Sequence, residues 1–193
     1  MTNAREHLLA QSQILRDAGF RSEHRYPHAS CVVMRVRQRK AKFIAKFPAS
    51  NNLEWGRVHL LREAYALGRA QDVAGVAHRV AIYEAEGGLL VLVREFVNGL
   101  RLMDWKALGQ APDPAAITHL RDVLIQTIGS LHEAGLCCLD INEVNIIVFA
   151  QGEPCVIDLG SSQFQEHLTP DGFESLKRQD LEALDGLLPP AKP

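Results

Sequence analysis

The segment Leu131–Gly160, LHEAGLCCLDINEVNIIVFAQGEPCVIDLG, limits what this chain can fold into more than any other. Two apolar runs, Ile146–Phe149 and Cys155–Ile157, are too short for helices and are bounded by polar clusters. Such runs read as buried strands. Asp140-Ile141-Asn142-Glu143-Val144-Asn145 precedes the first and Asp158-Leu159-Gly160 follows the second. Between them, Gln151-Gly152-Glu153-Pro154 supplies the residues of a tight turn. A hairpin folded there brings Asn145 and Asp158 to one end, so that they and Asp140 share a site.

That constellation suits a hard cation beside a phosphate. Mg2+ prefers oxygen ligands, keeps several waters, and takes one or two protein groups together with substrate phosphates. Asn145 and Asp158 are the candidate ligands. Asp140, five residues before Asn145, would orient a hydroxyl or water for attack on a γ-phosphate. Asp, Asn and Gly are also ordinary turn residues. The assignment therefore rests on their joint placement around two apolar strands and behind a helix ending Leu131-His132-x-x-Gly135.

Asp140-x4-Asn145 followed by Asp158-Leu159-Gly160 resembles the protein-kinase superfamily, whose catalytic loop reads Asp, four residues, Asn, and whose metal loop reads Asp-Phe-Gly. The resemblance implies one α+β, bilobal, kinase-like domain over residues 1–193, with ATP and Mg2+ as cofactors. Residues 1–97 would form a lobe of a five-stranded antiparallel sheet plus a helix, preceded by an extra N-terminal helix. Residues 98–193 would form a minimal helical lobe lacking the later kinase helices.

Along the first half, residues 3–18 read as an amphipathic helix with Leu8, Leu9, Ile14 and Leu15 on one side and Gly19 as its stop. Strands follow to about Tyr26, over Cys31–Arg37 and over Lys42–Phe47. By the resemblance, Pro27–Ser30 stands in place of the glycine-rich phosphate loop. It holds no glycine, which leaves Ser30 and the neighbouring amides as donors. Lys46, after Phe43-Ile44-Ala45, resembles the strand lysine that holds the α- and β-phosphates. Glu63, in Leu60-Leu61-Arg62-Glu63-Ala64, resembles the helix glutamate that orients that lysine.

The helix carrying Glu63, about 53–70, is expected to present Leu53, Val58, Leu61, Tyr65 and Gly68 on one face. Val76–Tyr83 and Leu89–Phe96 complete the expected sheet. The resemblance assigns the Glu95 carbonyl and the Val97 amide to the adenine edge. Arg94 stands where the family has an apolar or small polar residue behind adenine. It either points away or marks unusual nucleotide binding.

In the second half, Leu102–Leu108 reads as a short helix. Asp113-Pro114 is the N-cap and first position of a long one, with Ile117, Leu120, Leu124, Ile128 and Leu131 as its stripe. His132, one position past the stripe, is expected to bond the backbone of the loops that follow. Residues 161–172 read as a loop, and Phe173–Leu188 as the last helix. Asp180 shares a face there with Phe173, Leu176, Leu184 and Leu187, so it needs donors, for which the amides of Cys138–Asp140 are candidates. It resembles the acid with which kinases brace their catalytic loop.

Only 35 residues follow Asp158, which leaves no sequence for the later kinase helices. That trimming resembles the RIO-type atypical kinases and the small kinase of the KEOPS complex. Asp140-Ile141-Asn142-Glu143-Val144-Asn145 resembles RIO loops of the form Asp-Phe-Asn-Glu-Phe-Asn, and Ser175–Leu181 resembles their last helix. Cys138 stands where the family has His, and Leu139 where ordinary kinases have Arg. Without that Arg, no switch by activation-loop phosphorylation is expected.

A net charge of −2 with 23% charged residues argues against bulk nucleic-acid or membrane binding. Neither an apolar leader nor a membrane-spanning run is evident, so a cytoplasmic protein is expected. The four cysteines lack metal-binding spacing and are expected to stay reduced. Arg35, Arg37, Arg39, Lys40 and Lys42 form a basic run, either a solvated edge or a docking patch for an acidic partner or RNA. The expected function is a Mg-ATP-dependent phosphotransferase, a RIO-like serine/threonine kinase acting on itself or a protein, or working as an ATPase switch. The alternatives are a small-molecule or sugar kinase of the lipopolysaccharide-kinase type and a pseudokinase that binds a partner.

Overall fold

The computed structural model describes residues 4–26, 31–49, 53–85, 89–108 and 113–190, with the side chains of 4–9 and 85 left out. The chain divides into two compact units, Met1–Tyr65 with His78–Phe96, and Ala66–Ala77 with Val97–Pro193.

In the first unit, β1 (Arg21–Tyr26), β2 (Cys31–Gln38), β3 (Ala41–Pro48), β4 (Arg79–Ala85) and β5 (Leu89–Glu95) form one sheet. Its order is β1-β2-β3-β5-β4, antiparallel throughout. Period-two alternation sorts the residues of β3 between the sheet's faces. Ala45 and Phe47 face the N-terminal helix α1 (Ala4–Asp17), in a cluster with Leu15, Phe20, Val36, Val91 and Val93. Ile44 packs on the other face with Cys31 and Val33, and Lys46 shares its parity. Gly19, at φ 82°, ends α1 in a left-handed conformation that costs glycine little.

Helix α2 (Leu53–Arg69) forms as expected, but with a different buried face. Val58, Leu61 and Tyr65 are exposed, together with Trp55, whereas Gly56, Leu60, Glu63, Ala64 and Leu67 are buried. The buried stripe contains an acid and two small residues, which hides it from an apolar count. Gly56 is there for close approach, since a Cβ would lie 2.9 Å from Pro48 Cβ at the end of β3. The expected strand over Val76–Tyr83 starts later, at Arg79. Val76 instead forms a parallel bridge to Val156 in the second unit, where Gly75 also bonds Val156.

The basic run is largely engaged within its own sheet. Arg35 and Arg37 both pair with Glu23, and the Arg35 and Lys42 cations lie 5.7 and 5.8 Å from the Phe96 ring centre. Arg39 takes φ 56° in the two-residue turn between β2 and β3.

The second unit carries the expected hairpin. β8 (Ile146–Val148) pairs with β9 (Pro154–Val156) and with β6 (Leu100–Arg101), and Gly152 turns the chain at φ 89°. Two helices follow the expected pattern. α3 spans Leu102–Lys106, and α4 spans Pro114–Glu133, with the Asp113 carboxylate accepting from the Ala115 amide. α5 (Pro170–Leu187) begins three residues earlier than the apolar pattern suggests, because Thr169 caps it and Pro170 fills its first turn.

The expected loop over 161–172 is partly ordered. Gln163–Phe164 (β10) pairs with Leu136–Cys137 (β7), and Gln165–His167 makes one 3-10 turn. Arg69 reaches that turn and pairs with Glu166 at 2.7 Å. The Glu166 carboxyl is held below its ordinary range, first by its own backbone amide and then by Arg69. The four cysteines are reduced, and no described helix is long and apolar enough to cross a membrane.

Candidate active site

In the second unit, the chain leaves α4 through Gly135 at φ 75° and enters β7. It then passes through two non-glycine residues in the left-handed region, Cys138 at φ 57° and Asp140 at φ 52°. Such conformations cost of order 1–3 kcal/mol each and persist where the surroundings over-determine them. Asp180 of α5 does that here. Its carboxylate accepts the Leu139 amide at 2.8 Å and the Cys138 amide at 3.0 Å, and lies 3.0 Å from His132 Nε2. Asp180 and His132 are buried, so these bonds act away from water. Asp180 finds its expected donors at two of the three amides considered. His132 bonds this carboxylate in place of the loop backbone.

The loop held in this way presents Asp140 to solvent. Asn142 organises its interior. Its Oδ1 accepts the Val144 and Asn145 amides, and its Nδ2 donates to the Asp140 carbonyl. Asn145 Nδ2 donates at 3.0 Å both to that carbonyl and to Asp140 Oδ2. These two bonds fix the amide and direct its Oδ1 elsewhere. The Ile157 amide donates to the Asn145 carbonyl at 2.9 Å, so Asp158 leaves the hairpin next to Asn145. Asp158 Oδ1 accepts the Gly160 amide at 3.0 Å, which orients this carboxylate in its turn. The donor set is oxygen only, as a small hard cation requires.

In the first unit, Lys46 Nζ meets Glu63 Oε1 at 2.7 Å, with the side chains 4% and 0% exposed. A buried ammonium needs such a partner. Glu95 is anchored to His78 twice, through its amide to the His78 carbonyl and through its carboxylate from the His78 amide. Arg94, beside it, is buried, and its Nη1 donates to the Glu95 carbonyl at 3.1 Å. Val97 belongs to the second unit, in a cluster with Ala77, Ile147 and Cys155. Ser30, and the Pro27–Ser30 turn with it, lies outside the described residues.

Sequence reasoning left Asn142 without a role, although Asp-x-Asn inside a loop is the signature of a side chain bonding its own backbone two residues on. It also missed the His132–Asp180 bond. The available signal was that His132 follows directly on a buried leucine of α4.

No curated protein matches this chain. Residues 28–185 match the family model of the RIO domain, a span that contains β2 to β5 of the five-stranded sheet, the loop at Asp140 and the brace at Asp180, and leaves β1 outside. A match over most of the sequence, on an α+β fold whose loop and last helix are tied as described, decides the lineage: the chain belongs to the RIO domain family of atypical kinase- or ATPase-like proteins.

Proposed function

We propose that this chain is a Mg2+- and ATP-dependent phosphotransferase of the compact RIO kind, its two units working as one kinase-like domain. Its acceptor is a serine or threonine hydroxyl of the chain itself or of a protein partner, or water if it turns over as an ATPase switch. The observation that carries the proposal is the doubly donated amide of Asn145, which ties the acceptor Asp140 and the end of the hairpin into one oxygen-lined group.

In this assignment Asp140 is the general base, exposed to an incoming hydroxyl and held in place by Asn145. Asn145 and Asp158 hold Mg2+, whose chemistry is neutralisation of phosphate charge. Lys46 contacts the α- and β-phosphates, and Glu63 fixes its direction. The Glu95 carbonyl and Val97 amide meet the base. Most of the acceleration is positional and electrostatic, since phosphoryl transfer asks little covalent chemistry of the protein.

The test is transfer or release of phosphate from γ-labelled ATP with Mg2+, in the native chain and in Asp140→Ala and Asp158→Asn. Both variants are expected to lose at least about 100-fold in turnover, the order of a general base or metal ligand. Full turnover in either variant refutes its assigned role.

A further inference from the structure

Helix α2 is apolar on two sides. Its inner stripe, which carries Glu63, is buried. On the outer side Trp55, Val58, Leu61 and Tyr65 recur three or four residues apart and so share one face. All four belong to the first unit, and they are between 42% and 52% exposed. A surface helix ordinarily turns charged and polar residues to the side opposite its core. The Trp55 ring also stacks on His59, with 5.1 Å between centres and 11° between planes, which gives the indole a set orientation. A contiguous exposed apolar face with a polar rim marks an interaction site, and Trp, Tyr and Arg are the side chains that most often dominate binding there.

Two charged residues point to the occupant. Glu54 and Arg62 stand four residues to either side of Val58, and both are exposed. Neither forms an ion pair among the described residues. Opposite charges placed symmetrically about an apolar centre make a face complementary to itself, which is what a twofold contact requires. A second α2 laid antiparallel on the first, with Val58 at the twofold axis, sets Glu54 of each copy level with Arg62 of the other, about 6 Å along the helix from the centre. The same register sets Trp55 level with Leu61 of the second copy.

We propose that the outer face of α2 is a homodimer interface, in which two copies of this chain pair antiparallel through Trp55, Val58 and Leu61, with reciprocal Glu54–Arg62 ion pairs. The interface lies on the side of the helix away from Glu63 and does not depend on the nucleotide-site assignment. A single helix face is small for a stable complex, so the association is reversible, with a dissociation constant of roughly 1–100 μM.

Sedimentation equilibrium of the full chain is expected to show a monomer–dimer equilibrium. Trp55→Ala removes an anchor that the dimer uses twice and is expected to weaken association at least about 30-fold. Arg62→Glu and Glu54→Arg each set like charges against one another and should weaken it about 10-fold. Both changes in one chain should restore it, because each pair is then reversed in sign but intact. A chain still monomeric at about 1 mM overturns the proposal and leaves the face to a different protein. A dimer indifferent to Trp55→Ala overturns it as well, and so does a double exchange that fails to restore association. The charge exchange keeps the question decidable even where Trp55→Ala fails to fold, since restored association requires folded chains.

Discussion

Removing the Asp180 carboxylate should destabilise the second unit more than any conservative change on the same helix. In Asp180→Ala, the Cys138 and Leu139 amides and the His132 ring lose their acceptor at once, and the first two sit beside the left-handed φ angles of Cys138 and Asp140. Hydrogen bonds to a charged group contribute about 1.5–3 kcal/mol each. The three share one carboxylate and do not add, so a total of about 3–5 kcal/mol is expected, the usual cost of breaking a buried charged network. With a urea m-value of about 2 kcal/mol/M, the midpoint falls by roughly 2 M.

Asp180→Asn is isosteric and keeps one acceptor. It should cost about 1–3 kcal/mol, because one of the former acceptor positions becomes a donor facing a donor. The chain contains two tryptophans, Trp55 in the first unit and Trp105 in the second. In a Trp55→Phe background, Trp105 fluorescence reports the second unit by itself. A loss below 1 kcal/mol in Asp180→Ala would refute the brace.

Two further outcomes follow from buried charge. Lys46→Met removes the cation facing the Glu63 carboxylate and should cost about 3–5 kcal/mol, while Lys46→Met with Glu63→Leu should recover most of that loss. Equal losses in single and double variants, measured by thermal melting, would show that the pair contributes nothing specific. Burial pushes the Cys137 thiol from 9.0 up to about 11, with Asp180 and Cys138 adding to the rise and Lys177 opposing it. Unfolded Cys137 therefore ionises before the folded form does. Stability is unaffected below about pH 9 and falls by up to about 3 kcal/mol as pH rises through about 11. Cys137→Ala should flatten this part of the pH profile in alkaline denaturation, and an unchanged slope would exclude the thiol as its source.

The hairpin Ile146–Val156 was legible because each strand is a short apolar run with turn residues between, and its register placed Asn145 beside Asp158 without tertiary information. The Lys46–Glu63 pair was legible only through resemblance, since spacing alone does not join a strand lysine to a helix glutamate. The face of α2 was misjudged for the same reason. Glu63 lies on the buried stripe, and the apolar pattern accordingly points to Val58, Leu61 and Tyr65, which face solvent. Small residues made the other difficulty. Gly56 and Ala64 mark where α2 packs closely, yet neither registers as hydrophobic. The ordering of Gln163–His167 depends on pairing with Leu136–Cys137 and on Arg69, contacts remote in sequence and invisible in a local pattern.

The tie between the loop at Asp140 and helix α5 also sets an order of events in the cell. Asp180 lies 41 residues beyond Leu139 and 42 beyond Cys138. At about 5–20 residues per second, a ribosome takes roughly 2–8 s to add that stretch, far longer than a helix or hairpin needs to form. By the end of that interval Asp140, Asn145 and Asp158 have all been synthesised, but the Cys138 and Leu139 amides still lack the Asp180 carboxylate. A nascent chain thus carries these three groups before their loop is braced, and the brace arrives with α5.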